Sequence, residues 1–242
     1  FEAVIQTKRA MFDGAPSGER FDALVEIATL CREKLASPQR ALDALVEAAA
    51  IQPDDLAVHH ELLALYTENK QWRKSVETIL RIADLEPDPL RRGKFHYSAA
   101  VICRDELKSL DDAVEEFNRA LDLYMEKPES VTPEIMAGHL KAFQAVDTIL
   151  TQTKDWKNLD RSYRRMIKRM PAEGHEALKV ALWHGLGEIH RTRLKDIERA
   201  PLHPLDQFRA FQDMRDKGMT KEEIAAAFFV QVTVVKQRLR LA

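Results

Sequence analysis

Apolar and small residues through most of this chain recur at helical offsets, not at the alternation of a strand. In the run Ala41-Leu42-Asp43-Ala44-Leu45-Val46-Glu47-Ala48-Ala49-Ala50-Ile51-Gln52-Pro53, the residues Ala41, Leu45, Ala48 and Ile51 are spaced by four, three and three. That spacing puts them on one face of a helix, which Pro53 ends. The pattern returns at a period of 34 as Ser75, Ile79, Ile82 and Leu85 before Pro87. A third copy is Ala113, Phe117, Ala120 and Leu123, with Met125 in the proline's place, and a fourth is Leu159, Tyr163, Met166 and Arg169 before Pro171. Trp72 stands as far ahead of Pro87 as Trp156 does of Pro171, so a second marker gives the same register. A small residue at the head of a set (Ala41, Ser75) lets a second helix approach closely.

Between these sets lie further helical stretches, and the chain reads as consecutive pairs: about 19–34 with 38–52, 54–68 with 71–86, 90–107 with 110–127, and 132–152 with 155–170. Residues 175–193 open a fifth pair. A short helix from Phe1 to Phe12 precedes them, the second half of an earlier pair or a cap, closed by the turn cluster 13–18. The intervals from Pro87 to Met125 (38) and from Met125 to Pro171 (46) exceed 34, which implies longer helices or an insertion, notably Glu129 to Gly138. Pro201 and Pro204 interrupt the second helix of the fifth pair, since proline inside a helix costs about 3 kcal/mol. The Ala200-Pro201 join reads as a truncated repeat, a fusion, or a place where residues are omitted. Three regions follow: an N-terminal cap over 1–18, a helical array over 19–200, and a separate segment over 201–242.

The stretch Trp183-His184-Gly185-Leu186-Gly187-Glu188-Ile189-His190 follows W-x-x-L-G-x-x-Y with His190 for the tyrosine, and Leu62 and Tyr66 supply part of that head earlier. With the period of 34, these residues resemble the tetratricopeptide repeat family over roughly 20–200. The resemblance implies an all-α, right-handed superhelix of helix-turn-helix pairs that binds a partner on its inner wall. Helical phase assigns to that wall Glu26, Leu30, Glu33, His60, Ala64, Glu68, Ser98, Ile102, Asp105, Gln144, Thr148, His184, Glu188 and Arg191. Its early part is acidic, so the expected ligand is a basic or amphipathic peptide. The Lys/Asn pattern that grips a C-terminal carboxylate in some family members is absent.

In the last forty residues, Asp206 to Asp216 forms an amphipathic helix with Phe208, Phe211 and Met214 on one face, ended at Lys217-Gly218. Thr220-Lys221-Glu222-Glu223 is a capping-box sequence opening a second helix, and Val232 to Leu241 is a third. Ala225 and Val235 are placed for a close crossing of these two. Glu223-Ile224-Ala225-Ala226-Ala227-Phe228 and Val235-Lys236-Gln237-Arg238-Leu239-Arg240-Leu241 resemble the helix-turn-helix of bacterial ParB/Spo0J partition proteins. That resemblance implies double-stranded DNA as a ligand, with Gln231, Thr233, Lys236 and Gln237 at bases or phosphates and Arg238 and Arg240 near the backbone. No acidic residue follows Glu223, which concentrates positive charge there.

A net charge of −2 over 242 residues gives no chain-wide pull toward nucleic acid or membrane. No run reaches the roughly 18 apolar residues of a membrane span, and a chain opening at Phe1 reads as part of a longer protein. The two cysteines, Cys31 and Cys103, lack a CxxC partner and fall in apolar helical patterns, as buried thiols in a reducing cytoplasm do. The eight histidines form no metal-binding spacing, no nucleophile elbow or phosphate loop is present, and Gly185-Leu186-Gly187 lies inside a helix. The expectation is a non-enzymatic protein-interaction scaffold without cofactor or metal, the alternative a partition-type DNA-binding protein whose repeats recruit a partner.

Overall fold

The computed structural model describes residues 1–12, 14–126, 132–170, 175–194, 211–227 and 232–239. Among them every regular element is a helix: α1 (Glu2–Phe12), α2 (Ser17–Glu33), α3 (Pro38–Ile51), α4 (Leu56–Glu68), α5 (Trp72–Leu85), α6 (Pro89–Asp105), α7 (Leu110–Tyr124), α8 (Pro133–Gln152), α9 (Trp156–Arg169), α10 (Glu176–Ile189) running into a π-helical segment His190–Leu194, then α11 (residues 211–216), α12 (Lys221–Ala227) and α13 (Val232–Arg238). The chain divides into two compact units, one of residues 1–126 and 133–142 and the other of 127–132 and 143–242, so the boundary falls within α8. The Ala200-Pro201 join lies outside the described residues.

In the first unit each helix from α2 to α7 packs on the next, giving the tetratricopeptide-like hairpins α2–α3, α4–α5 and α6–α7. The small heads of the second helices decide this: Ala41, Ser75 and Ala113 are 1%, 0% and 0% exposed. Leu45, Ala48, Ile79, Ile82, Phe117 and Ala120 are buried beside them, which removes from water the face that each amphipathic helix cannot cover alone. Helix α1 packs on α2. Its Ile5 is buried, Glu2 accepts two hydrogen bonds from Arg40 of α3 at 2.6 and 2.9 Å, and Lys8 pairs with Glu26 of α2. Gly18, which the sequence places in the preceding turn, lies inside α2.

The hairpin turns repeat a backbone device. One residue with positive φ stands two positions before each second helix: Ala36 (47°), Lys70 (55°), Lys108 (56°) and Lys154 (57°). Their spacings, 34, 38 and 46, are those of the proline register. The left-handed residue lets a later N–H turn back onto the carbonyls that a helix end leaves unpaired. Gln71 N–H donates to Tyr66 O at 2.8 Å and Asp155 N–H to Leu150 O at 2.9 Å, five positions back. Ser37 and Ser109 reach six positions back, to Cys31 O and Cys103 O, both at 2.9 Å. Turns after α2 and α6 therefore hold one more residue than those after α4 and α8. The interval of 38 is explained by α6, which has 17 residues where α4 has 13. In the interval of 46, α8 reaches 20, and residues 133–138 of the expected insertion are its first turns.

In the second unit α8 and α9 meet through Phe143 and Tyr163, edge to face with centroids 5.0 Å apart, and Tyr163 O–H donates to Asp147 at 2.9 Å. Gly185 of α10 lies against that tyrosine so closely that a Cβ there would be 2.6 Å from a ring carbon. This contact accounts for a glycine in a helix interior, where it otherwise weakens the helix. Farther on, Phe211, Ile224 and Val235 are fully buried and Ala225 is 4% exposed, forming a small core for α11, α12 and α13. Gly218 (φ 87°) follows α11. The capping box is formed: Thr220 N–H donates to Glu223 at 2.8 Å and Glu223 N–H to Thr220 Oγ1 at 3.2 Å. Of the expected 206–216 helix only 211–216 lie within the described residues, and Phe208 and Phe228 do not.

Candidate partner-binding surface

The first helices of the hairpins, α2, α4 and α6, present their uncovered sides to solvent because their other sides are sealed against α3, α5 and α7. Residues placed on the inner wall from the sequence are accessible in every case. Glu26, Glu33, His60, Ala64, Glu68, Ser98 and Asp105 are exposed in the first unit, as are Gln144, Thr148, His184 and Arg191 in the second, and Leu30, Ile102 and Glu188 are half-buried.

Counting from the carbonyls that close the turns aligns these helices by structure. Cys31, Tyr66, Cys103 and Leu150 are the equivalent acceptors, all buried. Because α2 and α6 gain a residue at the turn, the positions matching His60 and Ala64 are Val25 and Thr29 in α2 and Tyr97 and Val101 in α6. Each stands one residue before Glu26, Leu30, Ser98 or Ile102. Position two past the acceptor is Glu33, Glu68 and Asp105, an exposed acid and the last helical residue in all three cases. In α8 the same position is Gln152. Helix carboxyl ends already carry partial negative charge, so an acid there is disfavoured by a few tenths of a kcal/mol or more.

Neighbouring first helices touch along this side. His60 of α4 and Phe95 of α6 have ring centroids 6.3 Å apart, and Arg32 of α2 reaches Glu61 of α4 at 3.9 Å. Arg104 forks onto Asp105 at 2.7 and 2.8 Å, and those hydrogen bonds hold the Asp105 carboxyl below the usual carboxylate range. In the second unit Arg191 grips Glu188 at 2.8 and 2.7 Å and likewise lowers its carboxyl.

Two side-chain clusters centred on buried histidines were not legible from sequence. His96 Nδ1 of α6 lies 2.6 Å from Glu116 of α7, and both residues are buried. In the second unit His190 Nε2 lies 2.7 Å from Asp160, which also accepts from Arg164 Nε at 2.9 Å. Burial pulls the Asp160 carboxyl upward, but the hydrogen bonds and charges of Arg164 and His190 outweigh it and hold it below the ordinary value. His190, at the tyrosine's place in the repeat head, takes its partner from the preceding helix, α9. Both clusters lie at helix-helix contacts and are structural. Burial, with a smaller push from Asp112 and Glu116, raises the Cys103 thiol and makes it a poor nucleophile. Among the described residues no group of His, Cys, Asp and Glu could hold a metal ion, and no helix is long and apolar enough to cross a membrane.

On α13, Thr233 and Lys236 are exposed. Gln231 and Arg240 lie outside the described residues, and the side chains of Gln237 and Arg238 are not described.

No family model matches the chain, and no curated protein matches it in sequence. Solved structures similar to it include a tetratricopeptide repeat protein from Parabacteroides merdae, 16% identical, covering 99% of this chain and 90% of that one with a TM-score of 0.39. MamA is 11% identical, with coverages of 68% and 85% and a TM-score of 0.38. BtubC from P. vanneervenii is 12% identical, with coverages of 81% and 82% and a TM-score of 0.36.

Proposed function

We propose that the first unit is a non-catalytic docking module that binds a basic or amphipathic segment of a partner protein along the exposed sides of α2, α4 and α6. The observation that carries this reading is the triplet Glu33, Glu68 and Asp105. Three successive first helices end on an exposed acid at one repeat position, where it opposes the helix dipole and so works against the stability of its own helix. A cationic ligand relieves that repulsion at Glu33 and Glu68, as Arg104 already does at Asp105. Leu30, Ala64 and Ile102 supply apolar contact beside it. The unit as a whole agrees in sign, with seventeen Lys and Arg against twenty-five Asp and Glu, a net charge of −8. Buried free Cys31 and Cys103 fit a reducing compartment, and we place the protein in the cytoplasm on that ground. The test uses a labelled lysine-rich amphipathic helical peptide, titrated at low and physiological salt. Glu33→Lys with Glu68→Lys is expected to weaken binding about tenfold or more. Equal binding by the double variant, or none by the parent chain, overturns the reading.

A second reading is supported by the folded core of α11, α12 and α13, with its formed capping box and exposed Thr233 and Lys236 on α13: sequence-selective binding of duplex DNA by this helix-turn-helix. Lys236→Glu is then expected to abolish discrimination between duplexes of different sequence, measured by competition at fixed salt.

A further inference from the structure

Helix α9 carries a charge pattern that neither reading uses. At 100° per residue, Lys157, Arg161, Arg165 and Lys168 fall within an 80° arc turned away from the buried Leu159, Ser162 and Met166, and Lys154 in the preceding turn extends the row. All five are exposed, and among the described residues none has a carboxylate within ion-pair range. Arg161 makes only a 3.3 Å bond to the neutral Asn158. Asp160, the one acid of the helix, is engaged by Arg164 and His190.

The fold does not require this. At the positions equivalent to Lys157, Arg161, Arg165 and Lys168, α7 has Asp111, Glu115, Arg119 and Asp122, and Arg119 is paired with Glu115 at 2.6 Å. The second unit holds twenty Lys and Arg against fourteen Asp and Glu, a net charge of the same sign as the row.

We propose that the outer face of α9 binds the phosphate backbone of duplex nucleic acid without regard to sequence. From Lys157 to Lys168 the four cations span about 16 Å at about 1.5 Å per residue, a straight row that meets several successive phosphates. Two features choose a duplex over other polyanions. The arc has no exposed large apolar side chain, as the buried centre of a protein interface or an inserted membrane helix requires. It has no exposed aromatic ring on which unpaired bases stack, since Trp156 of this helix is half-buried with Arg193 over its ring, 4.9 Å from the centroid. The row itself holds only lysine and arginine, the side chains that most often contact phosphate. The proposal is independent of the α13 reading.

The experiment titrates the full chain with two labelled duplexes of unrelated sequence, each about two helical turns long, from low to physiological salt. Five contacts predict log K falling against log salt with a slope of about −4.5, the same for both duplexes. K157E/R161E/R165E/K168E should flatten the slope to about −1 and weaken binding at low salt at least tenfold, with its helical circular dichroism retained. The milder K157Q/R161Q/R165Q/K168Q set should move both readouts in the same direction and stands in if the reversed chain misfolds. Lys34→Glu with Lys94→Glu, reversals in the first unit, should leave the slope unchanged. A Lys236→Glu chain that loses only discrimination between the duplexes separates failure of the α13 reading from failure of this one. An unchanged slope in the α9 variants, absence of duplex binding at low salt, or loss limited to anionic phosphatidylserine vesicles or to self-association each overturns the proposal.

Discussion

Helices α7 and α9 perform the same structural task on opposite electrostatic terms. Both are second helices of a hairpin, both follow a turn held by a left-handed lysine, and both bury the same repeat positions: Ala113, Phe117 and Ala120 in one, Leu159, half-buried Tyr163 and Met166 in the other. Their outer faces differ in sign. Stacking fixes the inner face, because each hairpin must remove its apolar stripe from water, and leaves the outer face free to carry other information. The proposed ligand surfaces lie where the fold places no demand: the acids at the ends of α2, α4 and α6, and the bases along α9.

The comparison breaks first if the inner faces are not equally essential. Phe117→Ala leaves a cavity in a fully buried site and should cost about 3–5 kcal/mol, and Met166→Ala in the second unit about 2–5 kcal/mol, read from urea midpoints. If only one proves costly, the two helices are not the same element. A smaller effect separates the units by acid. Asp160 titrates below its unfolded value, so it contributes stability that is present above the ordinary carboxylate pKa and is lost as pH falls through the lower folded value. Asp160→Asn should cost about 1–3 kcal/mol at neutral pH by leaving His190 and Arg164 a poorer acceptor, and the difference from the parent should vanish below that acid range. A constant difference across pH would contradict this assignment.

Much of the scaffold is legible in the sequence. The heads Ala41, Ser75 and Ala113 and the register of 34 fix the hairpins, and the capping box at Thr220 and Glu223 forms as its spacing requires. The phase of α2 and α6 is not legible, because an extra turn residue depends on whether Ser37 and Ser109 bond five or six positions back. No residue type marks that choice: the left-handed positions are Ala and Lys, where Gly is the usual signal. Gly18 misleads for the converse reason, a glycine that looks like a turn yet lies in a helix. The row on α9 obeys the same period used to find the apolar faces and becomes visible only when that count is applied to charge. Partnership of His190 with Asp160 needs the packing of α9 on α10, which no local pattern contains.

Thr220→Ala removes the side-chain oxygen that caps α12 and should destabilise the small three-helix core by about 1 kcal/mol, seen as earlier hydrogen exchange in α12 and not in α2 to α7. The finest probe is the pair Lys70→Gly and Lys154→Gly. Both lysines hold positive φ, at 55° and 57°, where a Cβ is strained and glycine is not. Glycine also loses more freedom on folding, so the net gain is small, about 0.5–1 kcal/mol in each case. Stability should rise equally in the two variants because the turns share one hydrogen-bond scheme, with Gln71 and Asp155 each bonding five positions back. Duplex binding should not follow stability. Lys154 extends the α9 row and Lys70 belongs to the acidic unit, so only Lys154→Gly should reduce the steepness of the salt dependence, by about 0.9. Equal slopes in the two variants would remove Lys154 from the row and confine it to α9 itself.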